Sequence, residues 1–255
     1  MAQPRQVGIE QATVAEWKSR GFEAGWIIEV RVVNRPVLFS FVSERHEHQL
    51  DQLTDVVPAF KIVVTGAAPN LKKLPPIGRP FGLVLSGHVP MDSVLKEVRG
   101  LQNLTVLLVE SFTVTDEGAK ELATLRSLKT LSLGPCEVTE KGLIHLAGLN
   151  NLRNLNLFNS PVTDEGLRAL STLSLTSLDL GGTIVTDEGL RHLTGHKNLT
   201  CLSLTRVPTV TDAGVEHLAQ LKNLTDLDIS FTQITDAGAG KLRERLPGCR
   251  VFLKN

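Results

Sequence analysis

Cysteine is scarce in this chain: Cys136, Cys201 and Cys249 are the only three, and they lie far apart. No two of them have the spacing of a metal or redox pair, and an odd number of scattered thiols suits a reducing cytoplasm, the expected compartment. No apolar run approaches 18 residues, so no membrane span is expected. The opening MAQPRQVGIEQ has no apolar signal core. Neither sign of charge is in excess, with 27 Lys plus Arg against 27 Asp plus Glu. Nucleic-acid binding and polybasic membrane contact both need a concentrated positive field, and neither is expected.

Catalytic constellations are missing as well. The nearest thing to a phosphate loop, Thr65-Gly66-Ala67-Ala68, lacks the Lys-Ser/Thr that such a loop requires. His46-Glu47-His48 is the one tempting metal pair. On a helix its two histidines would stand about 200° apart, His46 on the apolar face with Leu50 and Leu53 and His48 on the other; only a strand would put both on one side. The expectation is therefore no enzyme, no metal and no cofactor. A small hydrolase or metal site in the N-terminal segment is the lesser alternative.

What the sequence has instead is a period. Leu-x-x-Leu-x-Leu appears as Leu104, Leu107, Val109 and returns at Leu128, Leu152, Leu175, Leu199 and Leu224, in steps of 24, 24, 23, 24 and 25 residues. Leu83 and Leu85 form a weaker earlier copy, and Val251 and Leu253 a final strand in the same phase. Earlier still, Leu50, Leu53, Val56, Ile62 and Val64 match the spacing of Ala119, Leu122, Leu125, Leu131 and Leu133, with a shortened unit (Leu71, Leu74, Ile77) between. A period of this length marks a stacked solenoid. Each unit, such as Leu152 to Ser174, reads as a strand, a tight turn and a short helix.

Between strand and helix the turn carries Val-Thr-Asp-Glu-Gly-Leu, complete at 162–167 and 185–190. Thr115-Asp116, Thr211-Asp212 and Thr235-Asp236 keep its core; Thr139-Glu140-Lys141 and Met91-Asp92-Ser93 depart from it. The strand motif and this turn together resemble leucine-rich repeats, and look most like the bacterial and cysteine-containing subtypes. The ending Leu246-Pro247-Gly248-Cys249-Arg250-Val251 looks like the usual close of such arrays. The resemblance covers about 80–255. It implies a right-handed α/β solenoid of about seven units and a binding scaffold.

Packing supplies the rest of the expected architecture. Parallel strands stack about 4.8 Å apart whereas helices are about 10 Å wide, so the helices fan outward and the strands line a concave face. Thr163, Thr186, Thr211 and Thr235 are placed to cap the helices, each followed by an aspartate where negative charge is favoured. Small residues after the strand (Cys136, Ser160, Thr183, Thr232) are suited to bond buried turn backbone. His145, His192 and His217 share one outer-face position. The longer repeat carries Arg206-Val207-Pro208-Thr209, expected to bulge at the rim and leave the sheet intact.

Residues 1–46 lie outside the period. A helix over about 9–20, closed by Gly21, precedes alternating Trp26, Ile28, Val30, Val32 and Val37, Phe39, Phe41 around Asn34-Arg35-Pro36, a hairpin. This α/β unit is read as an N-terminal cap, because a solenoid's first repeat has an open end, and 47–255 as the solenoid, with regular repeats from about 80.

Alternation puts the residues between core leucines on the concave face. The first strands place Val84, Ser86, Val106, Leu108 and Glu110 there, the middle ones Asn154, Asn156 and Phe158, the later ones Asp179, Asp226 and Asp228. The apolar N-terminal end and the ring of Phe158, flanked by Gly134 and Gly181, are expected to receive a protein partner; Val106, Leu108, Glu110, Asn154, Asn156, Phe158, Asp179, Asp226 and Asp228 are the candidate contacts. The alternative is an adaptor whose N-terminal segment docks to a larger complex while the repeats hold a target, although no F-box-like helical segment is evident.

Overall fold

The computed structural model describes residues 9–30, 38–43, 56–71 and 75–254. His46, His48, Leu50, Leu53, Leu74 and the expected turn at 34–36 lie outside them. Among the described residues eleven strands form one open sheet, in the order β11-β10-β9-β8-β7-β6-β5-β4-β3-β1-β2. The repeat strands are β4 Phe81–Ser86, β5 Leu104–Glu110, β6 Thr130–Ser132, β7 Asn154–Asn156, β8 Ser177–Asp179, β9 Cys201–Ser203, β10 Asp226–Asp228 and β11 Arg250–Phe252. Each pairs in parallel with the next. Helices α2 Met91–Leu95, α3 Asp116–Leu122, α4 Glu140–Leu146, α5 Asp164–Leu170, α6 Val215–Leu218 and α7 Asp236–Arg245 follow the strands in turn. After β8 the helix is a 3-10 helix, Gly189–Gly195. The leucine triads are buried throughout, as their spacing requires.

The first strands depart from that pattern. Helix α1 Gln11–Ser19 ends as expected on Gly21, whose φ of 86° only glycine adopts freely and whose N–H bonds the carbonyl of Lys18. Strand β1 Glu23–Val30 then pairs antiparallel with both β2 Leu38–Ser43 and β3 Val56–Val63, and β3 pairs in parallel with β4. The repeat-like spacing expected of Ile62 is off by two residues: Ile62 pairs with Leu85, while Phe60 pairs with Leu83 and takes the level of Leu107 and Leu131. The reason is aromatic packing. The buried ring of Trp17 stacks on Phe60 at 4.5 Å and meets Phe22 and Phe81 edge-on, so at this end a phenylalanine fills the space a leucine fills elsewhere.

The turn motif ties the units together. Thr115, Thr139, Thr163, Thr211 and Thr235 cap their helices, each hydroxyl accepting from a backbone N–H two or three residues on. Thr186 does not: its 3-10 helix starts at Gly189 with no side-chain cap. The aspartates do more than favour the helix dipole. Asp116 Oδ1 accepts from the N–H of Thr139 at 2.7 Å and Oδ2 from its hydroxyl at 2.8 Å. Asp92 holds Thr115 in the same way, Asp164 holds Thr186, Asp187 holds Thr211 and Asp212 holds Thr235. Each clamp joins one unit to the next. At the one interruption, Glu140 makes neither bond to Thr163, since its extra methylene displaces the carboxylate. Glu140→Asp is expected to complete the chain of clamps and raise stability by about 0.5–1.5 kcal/mol, the usual net worth of such a bond. A denaturant melt with an unchanged midpoint would show that the gap carries no penalty.

The other turn expectations hold. Thr183, Thr232 and Ser160 donate to the carbonyls of Leu180, Ile229 and Phe158, whereas Cys136 meets the side chain of Ser160 in the next unit. In the longer repeat Pro208 and Thr209 are exposed at the rim while β9 keeps both its neighbours.

Candidate functional site

The strand register writes two rows across the concave face. One runs Val106, Thr130, Asn154, Ser177, Cys201, Asp226; the other runs Leu108, Ser132, Asn156, Asp179, Ser203, Asp228. Over β5 to β8 the face sinks into a hollow of about 370 Å³, to which Leu108, Glu110, Phe112, Ser132, Asn154 and Asn156 contribute. Its wall on the β5 side is apolar and its floor carries hydroxyls and amides.

The candidate residues divide between the hollow and its surroundings. Val106 and Leu108 are not the exposed apolar end that alternation implied. They are buried with Ala59 and Val84 in a second cluster on the opposite side of the sheet from the main core, because β3, β4 and β5 set four aliphatic side chains at adjacent positions. Leu108 still reaches the hollow; Val106 does not line it. Glu110 stands at the lip, its side chain 53% exposed, ion-paired to Lys61 at 3.0 Å and accepting from Ser86 Oγ at 2.5 Å. Burial acts to raise its carboxyl, but the Ser86 bond and the Lys61 ammonium outweigh it and hold the group below the usual carboxylate range.

Asn156, Asp179 and Asp228 share one job that sequence reading did not assign. Each accepts from the backbone N–H two residues on, at Phe158, Gly181 and Ser230, and so closes the turn out of the strand. The two aspartates are only 8% and 9% exposed, so they act as turn acceptors more than as surface charges. Asn156 keeps an amide nitrogen with no protein partner among the described residues. Asn154 bridges Thr130 and Thr176 across the strands. Asp226 is ion-paired to Arg250.

Phe158 is half-buried and is not part of the hollow's lining. The room that flanking glycines were expected to leave for a partner is used by Phe158 itself: a Cβ on Gly181 would lie 2.9 Å from its ring, and one on Gly134 would meet its backbone N at 2.5 Å. The large exposed ring beside the hollow is Phe112. It is 61% exposed and lines the hollow beside Pro135. A signal for it exists in the sequence: Phe112 falls where other units place Cys136, Ser160, Thr183 and Thr232. In its unit Ser111 is buried in that role, bonded to Thr113, and the ring turns outward.

Comparison with known proteins agrees with this geometry. A family model described as Leucine Rich repeat matches residues 148–171, 173–193 and 220–242. A search of curated protein sequences finds no match. Among solved structures, an internalin C2 from Listeria monocytogenes is 22% identical, with a TM-score of 0.56 over 95% of this chain and 92% of that one. A leucine-rich-repeat protein from Leptospira interrogans is 24% identical, with a TM-score of 0.44 over 68% of this chain and 47% of that one. No described helix is long and apolar enough to cross a membrane. Period, buried leucine ladder and parallel sheet, with the likeness to internalin C2, give the chain the fold of a leucine-rich-repeat solenoid.

Proposed function

We propose that the protein is a non-catalytic recognition scaffold, acting in the cytoplasm, that receives a protein partner in the hollow over β5 to β8. The observation that carries this reading is Phe112, a large exposed ring beside amides and hydroxyls, at a position that other units fill with a smaller and more buried residue. Interfaces draw most of their affinity from such aromatic centres, and a polar surround excludes water from them. Asn156 and Ser132 supply directional hydrogen bonds to a bound chain, and Leu108 an apolar wall. Phe158 and Asp179 stay in the proposed site as support, holding the β7 and β8 turns, and Asp226 and Asp228 extend its acidic side. The turn motif favours the bacterial or cysteine-containing subtype of repeat. The stacking of Trp17 on Phe60, within a sheet continuous with the repeats, favours a cap over a free adaptor module for the N-terminal segment.

A photo-crosslinking amino acid in place of Ser132, with a second protein carrying it in place of exposed Arg168 on the convex face, tests the reading in cells. A discrete protein adduct from position 132 and none from 168 is expected. Adducts from 168 alone would move the site to the helical side.

A further inference from the structure

The loop after each helix drops one side chain into the core at a fixed point: Leu125, Leu149, Leu173 and Leu221. Their backbone bonds repeat as well, the N–H of each reaching the carbonyl three residues back and the carbonyls of Leu125, Leu149 and Leu221 accepting from the residue three on. In the unit between, the same bonds are made by His196. A histidine thus occupies a leucine site, 2% exposed.

Its ring is half satisfied. Nδ1 lies 2.7 Å from the carbonyl oxygen of Leu173, which can only accept, so Nδ1 carries the proton. Nε2 is buried with no hydrogen-bond partner. The neutral ring tolerates this, since an unprotonated nitrogen only forgoes a bond. A protonated ring would set a charge and an unanswered N–H donor among leucines, which is far worse.

The same unit differs from its neighbour in other ways. Its helix is the 3-10 helix Gly189–Gly195, with no side-chain cap, where the neighbouring α5 is α-helical and capped by Thr163. The strand that follows it, β9, carries Ser203, 1% exposed, whose hydroxyl also lacks a partner among the described residues.

We propose that His196 makes this unit an acid-sensitive joint: neutral, it closes the helical layer between α5 and α6, and protonated, it releases the 3-10 helix from its neighbours. Charged groups on the packed elements do not offset the penalty. Glu165 and Arg168 of α5 pair with each other, as do Glu188 and Arg191 beside His192. Asp164 and Asp187 hold Thr186 and Thr211. Glu216 of α6 pairs with Arg245 beside His217, and Lys197 is exposed. Burial pushes the His196 imidazole below its ordinary value, only partly opposed by the Leu173 carbonyl. A group lowered on folding binds more protons in the open form. Its stabilisation is therefore complete above the ordinary histidine value of about 6.5 and is lost as pH falls from there through the lowered one.

Hydrogen exchange read by mass spectrometry at about pH 7.5 and about pH 5, corrected for intrinsic rates, tests the joint. In the wild type, opening of 189–203 should rise by up to about tenfold per pH unit below the ordinary value, with 128–157 much less affected. His196→Leu, which restores the residue of the other units, should remove the response, and so should His196→Gln if the leucine variant folds poorly. His192→Ala, at a half-exposed neighbour, should keep it. An acid response that survives both His196 variants, or wild-type exchange equal at the two values, would overturn the proposal.

Discussion

Leu178→Ala should remove roughly 2–5 kcal/mol of stability, the range for emptying a fully buried leucine site. Leu178 is completely buried and pairs with Leu155 on one side and Leu202 on the other, at the middle of the leucine ladder. The surrounding triads sit on rigid strands about 4.8 Å apart, which limits how far the site can collapse. The position also matters. A solenoid is held by contacts between neighbours only, so a cavity at the centre uncouples the two ends, and the denaturant melt should broaden or split. Leu155→Ala, one strand away, should behave alike. A loss below about 0.5 kcal/mol, typical of exposed positions, would mean that the strand register is wrong.

Asp187→Ala should come next in effect, at about 1.5–3 kcal/mol, because it removes two hydrogen bonds to a carboxylate and strands a half-buried N–H. Those bonds reach Thr211 at 2.8 Å from its N–H and 2.7 Å from its hydroxyl. Gly214 exists to let the carboxylate through: a Cβ there would lie 2.5 Å from Asp187 Oδ1 and 2.8 Å from Leu190. Gly214→Ala should therefore break the same clamp from the other side. The two substitutions act on one contact, so their losses should not add. A double-mutant cycle in urea reads this directly, and simple additivity would show that the glycine serves something other than the clamp.

The clamp illustrates what a sequence yields and what it withholds. The Thr-Asp pair was legible as helix-start chemistry because a cap and its partner lie within three residues. The carboxylate's other partner is a threonine 22 to 24 residues on, and no local pattern distinguishes a clamp from a dipole contact. The leucine ladder was legible for the opposite reason, since a period near 24 fixes the whole core at once. Alternation correctly put Asn156, Asp179 and Asp228 on the concave side, yet it is blind to the turn that follows, where each one closes a backbone bond. It also cannot tell that Val84, Val106 and Leu108 bury one another. Phe112 and His196 were both visible as the wrong residue at a repeating position, a phenylalanine among small residues and a histidine among leucines. A periodic pattern reports what recurs, and a single departure from it carries no period of its own.

The central claim is that the hollow over β5 to β8 receives a protein partner with Phe112 at its centre. Calorimetric titration of the partner captured through position 132 against three proteins tests it most directly: the wild type, Phe112→Ala and Arg168→Ala. Truncating an aromatic centre typically costs about 2 kcal/mol or more, and every 1.4 kcal/mol is tenfold in affinity. Phe112→Ala should therefore weaken binding about thirtyfold with an unchanged melt, and Arg168→Ala should bind as the wild type does. Wild-type affinity in Phe112→Ala, or a comparable loss in Arg168→Ala, would contradict the account.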